Sequence, residues 1–563
     1  MKKYPLSYFI LPLLLVGIIV SCKKETFEVD KLDLSEADPS FAIPLAKATI
    51  NLGDLEKEFD EGELIYNDAD ELFRLVYRQN IFEFNAGELI ELPSQNLNYA
   101  VSVPPSTVTA FSFAPAGTSV NFGETLSETF AFSNGEEVDS IRLSSGTLNI
   151  DAFTDMQHDV TLNISIPYLK QNGNSFNTTV DLSFQGSTPT QEMLNIDLSN
   201  YVMDLTKGGQ TNNELEVVVD VTLTKTGQPY TGTESISFDL NLDLTGFESI
   251  FGYFGNFQNI VAQDTQDLPV FNNFISGDLH FADPQLNLYI RSSAGLPLGI
   301  NFSGLYDGNS GSSQSLGGPG LTNIPTIPGA SFLGDTADFF HSINNGNTTP
   351  SLSQLIDASP DNIVYELAAE TNPDGFSQNF LSSDAMAWGD VEVILPIFGY
   401  AYNFSFQDTS DLDLGEALDL DPESNFDDKD VNRATIRIIS DNGLPLALGA
   451  QIYFLDENDV VLDSLFANPS LDNLIPAGIV DVSLPVTDPN YGKVVESSRR
   501  ITDVPLNNGQ LQNLISGGTK KVVYRANLNT TNADQQQDVK FYPEYELTVS
   551  LSAKINLNVN LSN

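Results

Sequence analysis

Basic residues, histidine, cysteine and tryptophan are all scarce in this chain of 563 residues. With 25 Lys and Arg against 76 Asp and Glu, the formal net charge is −51. Phosphate backbones are bound by clustered cations, so nucleic acid is excluded as a partner and docking on anionic head groups is disfavoured. One cysteine, Cys22, rules out an intramolecular disulfide and a zinc site built from thiolates. Three histidines, His158, His280 and His341, lie far apart and show no metal-ligand spacing. No H-E-x-x-H, G-x-S-x-G or phosphate-loop pattern occurs, which leaves most triad and nucleotide chemistry without support. The many acids leave one enzyme alternative open, a carboxylate-dependent glycoside hydrolase, because only geometry selects a working pair.

What the chain has is apolar alternation. Its hydrophobic content is 41%, with 36 Phe and 19 Tyr, which excludes general disorder, and its length allows three or four domains. Val160, Leu162, Ile164 and Ile166 alternate with polar residues, as do Leu215 to Leu223 and Ile236 to Leu244. Successive strand side chains point to opposite faces, so each run has one dry and one wet side. The expected fold is all-β: multi-domain antiparallel β-sandwich or open-barrel units with few short helices. The longest alternation runs from Tyr545 to Leu561.

An internal repeat organises this pattern. Leu286 to Asp307 returns as Ala434 to Asp456, each with an alternating run, a Gly-Leu-Pro-Leu corner (Gly295 to Leu298, Gly443 to Leu446) and a second run. A β-hairpin is expected at both places. A fainter version without the corner covers Leu148 to Pro167. The expected division is linear: 1–21 signal peptide, 22–40 tether, 41–135 N-terminal β-rich region, 136–275 divergent repeat, 276–407 β-domain with a Gly/Ser-rich loop, 408–430 acidic linker, 431–563 C-terminal β-domain.

The start of the chain carries an address. Lys2 and Lys3 precede the apolar run Phe9 to Val20, and Ile19-Val20-Ser21-Cys22 follows. The run is short for a membrane span. This segment resembles a bacterial lipoprotein signal with its lipobox. The resemblance implies cleavage before Cys22, acylation of its thiol by fatty acids such as palmitate and of its new amine, and stable anchoring by two or three chains. From Phe41-Ala-Ile-Pro-Leu45 through the repeated corners, the layout is similar to large uncharacterised outer-membrane lipoproteins of the Bacteroidetes type. That similarity implies an outer-membrane location, with the surface preferred over the periplasmic face, and supplies no catalytic residues.

Candidate contact surfaces are few. Phe247, Ile250, Phe251, Phe254 and Phe257 recur at helical spacing, which reads either as a connector capping a sandwich core or as an exposed aromatic flap. Trp388, the single tryptophan, reads as a core or edge aromatic, with a glycan platform as the sharper alternative. The acidic stretch from Asp408 to Asp430 reads as a solvated linker, with a structural calcium site as its alternative. No catalytic residue, metal ligand or cofactor is assigned. The functional expectation is a non-enzymatic binding, adhesion or envelope-assembly protein whose partners are the membrane and other outer-membrane proteins or glycans. A glycan-binding component of nutrient uptake is the first alternative.

Overall fold

The structure is a computed structural model. It describes residues 40–55, 64–67, 72–85, 87, 90–132, 135–271, 274–308, 314–411, 431–466, 474–485, 488, 490–507, 509–510 and 519–557. Cys22 and positions 412–430 of the acidic stretch lie outside these residues.

Among the described residues thirty strands follow one another with little helix. The first are β1 (Ser40–Asn51), β2 (Leu64–Asn67), β3 (Leu72–Asn85), β4 (Gln95–Val101), β5 (Ser119–Thr129) and β6 (Glu137–Thr154). Next come β7 (Asp159–Gln171), β8 (Asn174–Leu182), β9 (Thr190–Asp197), β10 (Val202–Asp204), β11 (Glu214–Thr224) and β12 (Ile236–Tyr253). The middle of the chain forms β13 (Gln258–Asp267), β14 (Phe274–Phe281), β15 (Gln285–Ser292), β16 (Leu298–Asp307), β17 (Ala337–Asn344) and β18 (Asn362–Thr371). It continues with β19 (Asn379–Ser382), β20 (Met386–Pro396), β21 (Phe398–Asp411), β22 (Val431–Asn442), β23 (Leu446–Leu455) and β24 (Val461–Ser464). The last are β25 (Ile479–Val480), β26 (Val494–Glu496), β27 (Ser498–Leu506), β28 (Lys521–Thr530), β29 (Val539–Lys540) and β30 (Glu546–Leu557).

Their pairing repeats one plan three times, always antiparallel. With seven positions lettered A to G in chain order, one sheet reads A-G-C-E and the other B-F-D. The inner unit fills them as β4-β12-β6-β9 and β5-β11-β7, and the short β10 pairs with both β6 and β7 and so joins the two into one ten-stranded sheet. The middle unit fills them as β3-β20-β15-β17 and β13-β18-β16. The outer unit fills them as β1-β30-β22-β27 and β21-β28-β23. An eighth strand lies beside position D: β8 against β7, and β24 against β23. In the middle unit the end of the Gly/Ser-rich loop takes that place, with Ser315 bridging Tyr306. Two four-stranded sheets in this order make a jelly roll.

The three rolls are nested. In each, strand A is separated from strand B by whatever lies inside, so the inner roll sits between β3 and β13, and the middle roll between β1 and β21. The linear boundaries expected for 41–135 and the regions after it therefore do not follow the pairing: β1 and β3 join strands hundreds of residues later. Two strands of the middle segment leave it, β14 to pair with β21 of the outer roll and β19 to pair with β12 of the inner roll.

Each roll has its own apolar core, and the alternation read from sequence fills it. Val160, Leu162, Ile164, Val217, Val219, Leu240 and Leu242 are buried in the inner core, at about 1.5–3 kcal/mol for each such side chain. Phe73, Leu75 and Tyr77 of β3 share a core with Leu286, Leu288 and Ile290. In the outer roll, Leu547 and Val549 of β30 pack with Ile438 and Val504, and Ala48 of β1 lies against them.

Two local expectations are corrected by the pairing. The Gly-Leu-Pro-Leu segments join strands that do not pair with each other: β15 and β16 lie in opposite sheets, as do β22 and β23. They are arches across the sandwich, not β-hairpins. Gly295 is required there because a Cβ would stand 2.2 Å from the Phe380 ring. A second motif braces each arch: Ile327 and Leu298 exchange two backbone hydrogen bonds, as do Ile475 and Leu448. The aromatic segment from Phe247 is strand, not helix, as far as Tyr253, because β12 continues its pairing with β6 through a series of register shifts.

Candidate functional site

The aromatic run expected as a contact surface is largely interior. Phe247 is buried, Phe254 is fully so, and Phe257 packs partly buried against the same inner core. Phe251 is half-buried beside Phe380, with ring centroids 6.1 Å apart. The spacing that resembled a helix comes from the bulges of β12, which turn successive aromatics inward.

Trp388 stands elsewhere and in company. It lies on β20 with Ala387, Gly389 and Val391 facing the core, so Trp388, Asp390 and Glu392 face away from it. On β15, Leu286, Leu288 and Ile290 face the core, so Asn287, Tyr289 and Arg291 face the same way as Trp388. The register sets these residues in rows across four strands. One row holds Phe340, Tyr289, Asp390 and Asn80; the next holds Asp338, Arg291, Trp388 and Glu83. A third runs Ser342, Asn287, Glu392 and Arg78.

This outer face of the middle roll combines three aromatic rings with two arginines. Phe340 is 56% exposed and packs on Tyr289 with ring centroids 5.2 Å apart. The guanidinium of Arg78 also lies over the Tyr289 ring, 5.0 Å from its centroid. Arg78 Nη2 donates to Asp390 Oδ2 at 2.7 Å, and Arg291 Nε to Asp338 Oδ1 at 2.6 Å. Both arginines are largely exposed, so these pairs add little to stability. What they do is fix two planar donor groups on a flat support. Beneath them, the Tyr289 hydroxyl and the Asn287 carboxamide both donate to Glu392 Oε1, at 2.9 and 3.3 Å. Burial, then the Glu392 hydrogen bond and charge, push the Tyr289 phenol above its usual pKa, so it remains a donor. Asn287 is only 3% exposed, and its Oδ1 has no hydrogen-bond partner.

A second polar group lies where the middle and outer rolls meet. His280 of β14 stacks on Tyr400 of β21, with centroids 5.0 Å apart and planes at 25°. Its Nδ1 lies 2.9 and 3.0 Å from the two Asp357 oxygens. Burial opposes the charged imidazolium, but the hydrogen bond and charge of Asp357 outweigh it and hold His280 above its usual pKa. Burial pushes the nearby Asp538 carboxyl up. A cleft of about 280 Å³ opens beside them, lined by Asp278, Tyr400, Tyr402, Ala533, Asp534, Gln535 and Gln536.

The other histidines are structural. His158 is buried between Phe111 and Tyr230 and bonds Thr226 Oγ1, while His341 meets the Gly320 carbonyl. Among the described residues no group of three or more His, Cys, Asp or Glu could hold a metal ion. Among them, too, no helix is long and apolar enough to cross a membrane.

The sequence reading singled out Trp388 but not its neighbours. The signal was available in part, since assigning 286, 288 and 290 to the core puts 289 and 291 outside. That β20 lies beside β15, and β3 beside β20, had no local signature.

No family model and no curated protein matches the chain. Among solved structures it is similar to a secreted-type protein of Parabacteroides distasonis, at 10% identity, with 63% of this chain and 99% of that chain covered and a TM-score of 0.19. It is similar to a chain of cowpea mosaic virus empty particles at 8% identity, covering 49% and 89%, with a TM-score of 0.13. It is also similar to the tandem CBM22 domains of Paenibacillus barcinonensis Xyn10C at 8% identity, covering 54% and 99%, with a TM-score of 0.12.

Proposed function

We propose that this protein is a non-enzymatic binding protein of a bacterial envelope, anchored in the outer membrane through acylated Cys22, with the outer face of the middle roll as its working surface. The observation that carries the reading is the gathering of Trp388, Tyr289, Phe340, Arg78 and Arg291 on one outward sheet face, where Phe340 and both arginines are exposed and Trp388 and Tyr289 are half-buried. Aromatic residues and arginine are the side chains that dominate recognition surfaces, and here they sit on a rigid support. The address rests on Lys2, Lys3, the Phe9 to Val20 run and Cys22. Adhesion and envelope assembly are forms that such binding takes.

Two variants test it. Cys22→Ala releases the protein from membranes and abolishes fatty-acid labelling; retained labelling overturns the anchor. The pair Trp388→Ala and Phe340→Ala removes binding of the purified chain to envelope material from cells that produce it. Wild-type retention in that double variant overturns the assigned surface.

A further inference from the structure

We propose that the outer face of the middle roll binds a neutral glycan, a ligand class that deepens the reading above and rests on it. Three observations converge.

The rings come first. Phe340 and Trp388 lie two strands and one row apart, so about 12 Å separates them at ordinary sheet spacings. An aromatic face offers apolar contact to the C–H side of a sugar ring, and its edges leave hydroxyls free to reach polar neighbours. The separation spans more than one sugar unit, so the ligand is an extended oligosaccharide rather than a monosaccharide.

The charges come second. Each arginine on the face already meets an aspartate, Arg78 with Asp390 and Arg291 with Asp338. A guanidinium has five N–H donors and a carboxylate about four lone-pair sites, so each pair keeps unused donors and acceptors beside an aromatic ring. Hydroxyl groups, which both donate and accept, match that set. No net positive charge remains for an anion, and a chain of −51 repels acidic polymers.

The third is what the face lacks as a protein interface. Stable protein contacts bury about 800 Å² per partner around a core depleted in charge. Here a narrow band of three rings is interleaved with two ion pairs and with Glu83 and Glu392.

The test uses the purified mature chain in affinity electrophoresis with soluble linear β-glucan, mannan and arabinoxylan, and with polygalacturonate as the acidic polymer. At least one neutral polymer retards the protein and polygalacturonate does not. Trp388→Ala and Phe340→Ala each weaken retardation by at least about tenfold, and Phe340→Ala, whose ring is exposed, leaves thermal unfolding unchanged. Envelope material treated with periodate, which cleaves sugar diols, no longer binds, and protease-treated material still does. Binding that survives periodate but not protease overturns the glycan and leaves the working surface standing. Equal binding by wild type and both variants overturns the surface as well. Retardation by polygalacturonate but by no neutral polymer overturns the assignment of neutrality.

Discussion

Gly277 lets β14 of the middle segment approach β21 of the outer roll. It sits in β14 at the register shift between Ser276 and Asp278, where that strand pairs with β21. Its φ of +111° is a conformation that other residues rarely adopt. A Cβ there would stand 2.1 Å from the Asn403 carbonyl oxygen and 2.4 Å from its carbon, both backbone atoms of the outer roll. Gly277→Ala therefore adds backbone strain of about 1–3 kcal/mol to overpacking of about 1–3 kcal/mol. Relief requires β14 to leave β21, which also breaks the stacking of His280 on Tyr400. Gly375→Ala is the control: its φ of +96° carries the strain, but nothing lies within 4 Å of the added carbon. Hydrogen exchange followed across the chain should show faster exchange of β14 and β21 amides in Gly277→Ala, with the inner roll unchanged. Thermal unfolding should lose 2–4 °C per kcal/mol for a roll of this size. Wild-type exchange and unfolding in Gly277→Ala, or equal effects in Gly375→Ala, would refute the argument.

Four shorter predictions follow from the same packing. Phe254→Ala should destabilise by about 3–5 kcal/mol in urea unfolding, because Phe254 is a fully buried core residue, whereas Phe340→Ala should stay within about 0.5 kcal/mol. Residues 90–257 should fold alone with a cooperative thermal transition, since every strand position of the inner roll is filled from within that stretch; an unfolded fragment would refute the nesting. The seam should weaken with rising pH. His280 has a raised pKa in the folded state, so its contribution is complete below the unfolded value of about 6.5 and is lost as pH passes through the higher folded value. Asp538, also raised, acts in the same direction from about 3.9 upward. His280→Gln should flatten the pH dependence of melting above pH 6, and an unchanged slope would count against the His280–Asp357 pair. Finally, Ile327→Gly should loosen the middle arch, read as faster exchange of the Leu298 amide that bonds the Ile327 carbonyl.

The strands themselves were legible. Alternation at Val160 to Ile166, Leu215 to Leu223 and Ile236 to Leu244 places those residues in the core, because the period of two is local and burial follows it. The repeat was legible too, and its faint third copy at Leu148 to Pro167 holds strands C and D of the inner roll, as the stronger copies hold those of the other two. What the repeat could not convey is connectivity. A Gly-Leu-Pro-Leu corner serves a hairpin or an arch equally well, and only the partners of β15 and β16, far along the chain, decide between them. Nesting hid β1 and β3 for the same reason: their partners lie about 500 and 300 residues away. The Phe247 segment misled because bulges shift the inward face of a strand and imitate a helical period. The proposed face was half legible, through Trp388, and completed only when three distant strands stood beside its own.

Trp388 offers the most direct measurement of the central claim, because it is the only tryptophan and stands on the assigned face. Its fluorescence should be recorded while the purified chain is titrated with whichever soluble neutral polysaccharide retards it. A ligand stacked on the face should give a saturable shift to shorter wavelength and shield the indole from acrylamide, and Phe340→Ala should weaken the apparent affinity. Saturable binding seen by calorimetry with an unchanged Trp388 spectrum and unchanged quenching would place the ligand elsewhere and contradict the account.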